Sequence, residues 1–302
     1  MAALHGLAAF FVAFVFSINK NPRKIDAYRG AVPSDVLHPV IDCNGTGDVS
    51  CPDKYSKTPI DQCKNINFPL VCKKVFTFDP SAFLVAFFLV TAIAHMLYAM
   101  DINGFYSYAI YKQGWNPYRW IEYFISASIM IFLISLLDGE RNLNAATLLA
   151  FMTGVTQLQG FVVENNFLTK NFKIHNKVHD EILWRNVHIA TWSGWLLFVG
   201  VWFVLVKNFF NVLTDANHIH TEGADKKVKI PIWVYGVVFS QVLNFALFGF
   251  VQRRQINDHK SGHIKPYESY EKQYITLSFT AKFILAGFVT YGILKRTSGD
   301  NC

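Results

Sequence analysis

Much is missing from these 302 residues. No glycine-rich phosphate loop, no metal-ligand constellation and no nucleophile triad occurs. That sets aside nucleotide-driven, metal-assisted and acyl-transfer chemistry, and the chain reads as a non-enzyme. The Cys-x-x-Cys knuckle of zinc ribbons is also missing. The N-terminus has neither a basic leader nor a clear small-residue cleavage site, so residues 2–18 read as a retained segment rather than a signal peptide. Charge is scarce, at 16% of residues against about 25% in ordinary soluble domains. The net charge of +7 is spread over every loop, so no nucleic-acid-binding face is expected. His218-Ile219-His220 is too short for a metal site and reads as a solvated stretch.

What is present is apolar. Hydrophobic residues make up 52% of the chain and aromatic residues 16%. A bilayer span takes roughly 20 mostly apolar residues. Seven segments qualify, with soft ends: 2–18, 81–100, 117–137, 145–163, 187–206, 231–251 and 274–294. The expected fold is an all-α membrane protein, a single seven-helix bundle over residues 1–302. Its surroundings are membrane lipids.

One long polar connection, residues 19–80, follows the first span. It holds Cys43, Cys51, Cys63 and Cys72. Four cysteines there suggest two disulfides, with three possible pairings, and a zinc site is the rival reading. Asn44-Gly45-Thr46 is a glycosylation sequon. Together these features put the loop outside the cytosol, the N-terminus in the cytoplasm and the C-terminus on the extracellular side. Short strands or hairpins are expected within it. Basic loop residues, counting Lys112 and Arg119 in the first inner loop, support that orientation only weakly.

Residues 277–288, LSFTAKFILAGF, place Lys282 in an apolar helical run. An unpaired cation there costs several kcal/mol, roughly 3 by insertion scales. The third span supplies an anion, Glu122, a few turns in from an Asn116-Pro117 helix start. Ser278 lies four residues before Lys282, on the same helix face. Two readings stand at this point. The pair is either a structural ion pair tying two helices together, or a lysine kept reactive for a carbonyl ligand, with a carboxylate to balance the linked nitrogen.

RWIEY in the third span and SFTAKFILA in the seventh, with an inside N-terminus and a long outer first loop, resemble the heliorhodopsins. The resemblance implies retinal, all-trans in the dark, bound to Lys282 as a protonated Schiff base with Glu122 as counterion. It matches Ser278 and Thr91 to polar neighbours of that linkage. It matches His5 and His95 to candidate proton acceptors. Met130, Gln157, Trp192, Trp195 and Phe245 are the expected pocket residues, the first and last matching family positions best. Gly287 stands where the family usually has tryptophan. A light-sensing role with a slow photocycle and signalling output is implied, as a homodimer with an unidentified partner. A light-activated proton channel or transporter is the alternative, its path extended by Glu164, His188 and Asp138 towards helix ends.

Overall fold

A computed structural model describes residues 2–18, 25–30, 40–42, 65–67, 72–138, 140, 142–171, 177–218, 232–263 and 265–297. Cys43, Cys51, Cys63, Asn44, Ile219 and His220 lie outside these residues, so the pairing, the sequon and most of the His-Ile-His stretch do too.

The described chain is mostly helical. Helix α1 (Ala2–Ile18) is followed by strands β1 (Ile25–Gly30), β2 (Val40–Asp42), β3 (Asn65–Asn67) and β4 (Cys72–Phe78). β1 pairs antiparallel with β4, and β2 with β3, so the long connection does form hairpin-like ladders. Then come α2 (Pro80–Met100), the one-turn α3 (Phe105–Tyr108), α4 (Pro117–Leu137), α5 (Leu143–Asn171), α6 (Lys177–His218), α7 (Ile232–Ser261) and α8 (Tyr267–Thr297). Six of these, α2 and α4 to α8, are long and apolar enough to cross a membrane. Helix α1 is a shorter apolar helix packed on α2. In apolar surroundings only such helices satisfy every backbone donor and acceptor internally.

Local chemistry fixes the helix starts. Asp79 caps α2 by accepting from Ser81 N at 2.9 Å, and Pro80 occupies the first turn. Asn116 caps α4 by accepting from Arg119 N at 3.2 Å, with Pro117 next. Each cap is worth about 1 kcal/mol, and proline there gives up an N–H that would be orphaned anyway.

Neighbouring helices pack in the order α1, α2, α4, α5, α6, α7, α8, and α8 meets α1 to close the ring. The strands and the start of α2 lie at one end of the bundle, the strand end. The far end gathers the α2–α4 connection and the first turn of α8. The strand half of the interior is an apolar core that includes Leu84, Phe87, Met130, Leu133, Ile134, Leu205, Leu285 and Val289. Polar side chains concentrate towards the far end.

Candidate functional site

Lys282 is 2% exposed and Glu122 is 5% exposed, so the two ionisable groups found in apolar runs are both buried. They meet: Lys282 Nζ donates to Glu122 Oε1 at 2.7 Å. It also donates to Thr91 Oγ1 at 2.6 Å and to Ser278 Oγ at 2.8 Å. An ammonium has three donors, and all three are used. Glu122 Oε1 additionally accepts from Thr91 Oγ1 at 2.5 Å and from Ser126 Oγ at 2.9 Å. The charges are thus paired and solvated by hydroxyls, the condition under which a buried ion pair persists. Helix α8 starts at Tyr267, about two turns earlier than the apolar run suggests, which puts Lys282 about four turns in.

Beside this pair lies a narrow cavity lined by Tyr123, Ala127, Met130, Gln157, Phe245 and Phe248 among others, with Lys282 and Ser278 at its wall. A second cavity shares Gln157, Phe245 and Phe248 with it and continues between α5, α6 and α7 past Trp195, Phe198 and Trp202. Two glycines make room for indole rings at the wall. A Cβ on Gly249 would come within 2.6 Å of the Trp195 ring, and one on Gly160 would collide with the Trp120 ring.

Four of the five expected pocket residues therefore line this space: Met130, Gln157, Trp195 and Phe245. Trp192 does not. It is 69% exposed on the outward face of α6, in a shallow groove with Trp184, Arg185 and His188. Gly287 also faces away from the cavity. It opens on an outward groove between α7 and α8 with Trp233, Phe283 and Phe288.

His5 and His95 come together as expected, their rings stacked at 5.1 Å and 21°. Both are buried. His95 sits one turn along α2 from Thr91, and the His5 ring meets Phe279, next to Ser278, edge-on at 5.2 Å. Tyr98 packs against His95 edge-on at 5.3 Å.

A second buried cluster lies one turn from Glu122 towards the far end. Arg119 is 1% exposed and bridges Glu164 and Glu271, both buried. Glu164 also accepts from Trp120 Nε1 at 2.8 Å and Tyr267 Oη at 2.9 Å, and Glu271 accepts from Asn116 Nδ2 at 2.8 Å. The guanidinium stacks on the Tyr274 ring at 4.2 Å. Sequence reading missed this cluster. Arg119 is not a loop charge but a buried residue of the first turn of α4. Glu164 is not at a watery helix end, because α5 runs on to Asn171. The available signal was spacing: Arg119 stands three residues before Glu122, and Glu271, Tyr274, Ser278 and Lys282 follow one face of α8. Tyr123 joins the two clusters. Its hydroxyl donates to Tyr274 O at 2.8 Å, and its ring lies 5.6 Å from Lys282 Nζ.

The other two groups considered for a proton path lie apart. His188 is exposed on α6. Asp138 is buried just past the strand end of α4, and neither carboxylate oxygen has a hydrogen-bond partner among the described residues. Burial alone pushes its carboxyl up to about 8.

A helical membrane bundle with a lysine and a carboxylate paired against an aromatic cavity defines a rhodopsin-type protein. The heliorhodopsin family model matches residues 49–294, well over half of the chain, and the chain belongs to that family. Among curated proteins none matches. Membership implies a retinal chromophore and a light-sensing, integral, multi-pass membrane protein. The residues present fit such a chromophore: an amine at one end of an apolar, aromatic-walled slot, with its charge balanced by a carboxylate.

Proposed function

We propose that the chain is a light-responsive photoreceptor, not an enzyme, in which retinal, all-trans in the dark, is attached through Lys282 with Glu122 as counterion. One observation carries the reading: the Lys282–Glu122 pair is buried and opens on an elongated apolar cavity. When bound, retinal supplies absorption of visible light and a change of shape on isomerisation. The protein's own residues do the rest. Thr91 and Ser278 orient the lysine nitrogen, and Ser126 and Thr91 hold Glu122. Met130, Phe245 and Trp195 wall the slot and keep water from it. The stacked His5–His95 pair is the temporary proton acceptor, one turn from Thr91. Helix α1 serves as the first of seven spans, with the N-terminus cytoplasmic and the C-terminus extracellular. The output is a slow cycle read by a partner, from a homodimer.

The transport reading has one observation in its favour. Ionisable groups continue from Glu122 through Arg119, Glu164 and Glu271 towards the far end. Towards the strand end, however, the apolar core separates Glu122 from Asp138, a distance of about 24 Å along α4 at 1.5 Å per residue. That favours signalling over conduction. Whole-cell photocurrents across a range of voltages decide: a current in expressing cells replaces this reading with the channel. The attachment itself is tested by adding all-trans retinal, recording the visible band, and trapping with borohydride. Mass spectrometry should find the adduct on the peptide holding Lys282; coloured protein with that lysine unmodified ends the proposal.

A further inference from the structure

The connection between α2 and α4 has two unlike faces. Ile102, Phe105, Tyr108 and Tyr111 recur every third residue and are 56%, 44%, 54% and 68% exposed. A 3₁₀ turn at Ile102–Gly104, α3 and a π-helical turn at Ala109–Gln113 carry them, and the exposure of all four makes this the outward side of the connection. On the other side Ala109 and Ile110 are buried. The Tyr106 ring there stacks on Tyr98 at 4.8 Å and 6°, and Tyr98 in turn packs on His95. The segment is bracketed by left-handed backbone, at Asp101 (φ 40°), Asn103 (57°) and Gly104 (67°) on one side and Gly114 (76°) on the other.

We propose that residues 101–114 form an interfacial flap: the Ile102–Tyr111 ladder seats in the lipid headgroup boundary at the far end of the bundle, while Tyr106 closes the histidine pair off from the adjoining water. The position requires a boundary location. Helix α2 ends at Met100 and α4 begins at Pro117, and both are of membrane-spanning length, so the residues between them lie where spans meet headgroups. The exposed ladder continues the outward face of α2, where Ile93, Met96, Leu97 and Met100 are 40–58% exposed. Tyrosine and phenylalanine suit that zone because each offers an apolar ring, and tyrosine adds a wet hydroxyl. Charge agrees as well. Lys112 is exposed for a phosphate, whereas the one acid of the segment, Asp101, is turned back onto Ser107, whose N–H (3.0 Å) and hydroxyl both donate to it. These bonds hold its carboxyl below the usual range, so it stays an anion engaged within the flap. A soluble partner protein is the competing occupant of the ladder. The closure is a packing statement and does not rest on the histidines' proton-accepting role.

Full-length protein in phosphatidylcholine–phosphatidylserine nanodiscs tests both faces. Tyr108 or Tyr111 is replaced by p-benzoylphenylalanine, irradiated and mapped by mass spectrometry, with His263, exposed in the α7–α8 turn at the same end, as reference. Phospholipid should be the dominant adduct at 108 and 111 and a minor one at 263. Equal yields at the three positions, or no lipid adduct at 108 and 111, overturn the seating. For the closure, modification of His95 by diethyl pyrocarbonate is timed in Tyr106→Ala and Tyr106→Phe. Alanine should speed it about fivefold, the population change expected for losing one ring stack, and phenylalanine should leave it unchanged. Where the alanine variant does not fold, Tyr106→Leu carries the same test. An unchanged rate in a folded variant without the ring overturns the closure.

Discussion

Glu122→Gln isolates the charge of the buried pair while keeping its shape. Lys282 would retain Thr91 at 2.6 Å and Ser278 at 2.8 Å but lose its anion. Breaking a buried pair from one side costs about 3–5 kcal/mol, because the surviving charge is stranded. That corresponds to roughly 10²–10⁴-fold in the unfolding constant. Lys282→Met strands Glu122 in the same way, with only Thr91 and Ser126 left to it. The double variant strands nothing and should recover most of either single loss. The assay is unfolding of retinal-free protein in mixed micelles of dodecyl maltoside and SDS, so the chromophore plays no part. Losses in the double variant equal to the sum of the singles would refute the pairing argument. With retinal added, Glu122→Gln should shift the visible band and Lys282→Met should give none. An unshifted band in Glu122→Gln would remove the counterion role while leaving the ion pair intact.

Three further outcomes follow from the geometry. Arg119→Gln leaves Glu164 and Glu271 facing each other and should destabilise by about 3–5 kcal/mol, whereas Glu271→Gln leaves a balanced Arg119–Glu164 pair and should be much milder; equal effects in the same micelle assay would contradict the cluster. Asp138 gives up its proton near 8 when folded and near 4 when unfolded, so the folded state holds more protons between those values. Asp138's contribution to stability should be full below pH 4, fall as pH rises through that window and level off above 8, so Asp138→Asn should remove this part of the pH dependence; identical pH profiles of the melting midpoint count against an unpartnered carboxyl. Gly249→Ala would push a methyl to within 2.6 Å of the Trp195 ring, so retinal uptake, followed by growth of the visible band, should slow or stop; unchanged uptake would show that the ring yields.

Some of this was legible because apolar surroundings make a charge conspicuous. Lys282 and Glu122 each interrupt a hydrophobic run, so a burial problem could be read before any fold was known. Ser278 followed from helical period, and His5 and His95 from resemblance. Arg119 and Glu271 gave no such signal. Each sits in the first turns of its helix, beside polar loops where a charge is ordinary. Helical spacing from Glu122 and Lys282 is their only local mark; their burial depends on α5 continuing far enough to bring Glu164 over them. Trp192 and Trp195 show the same limit. Three residues apart on one helix, their directions differ by only about 60°, too little for periodicity to separate cavity from lipid.

The sequence by itself determined the apolar membrane-spanning helices, the Asn116-Pro117 start of α4, and the need for an anion opposite Lys282. These are consequences of composition and short spacing, which hold for any packing. Only the tertiary structure decided which polar residues meet and which rings wall the cavity. It also decided where Tyr106 comes to rest, because those choices depend on the ring order and relative depth of helices far apart in the chain.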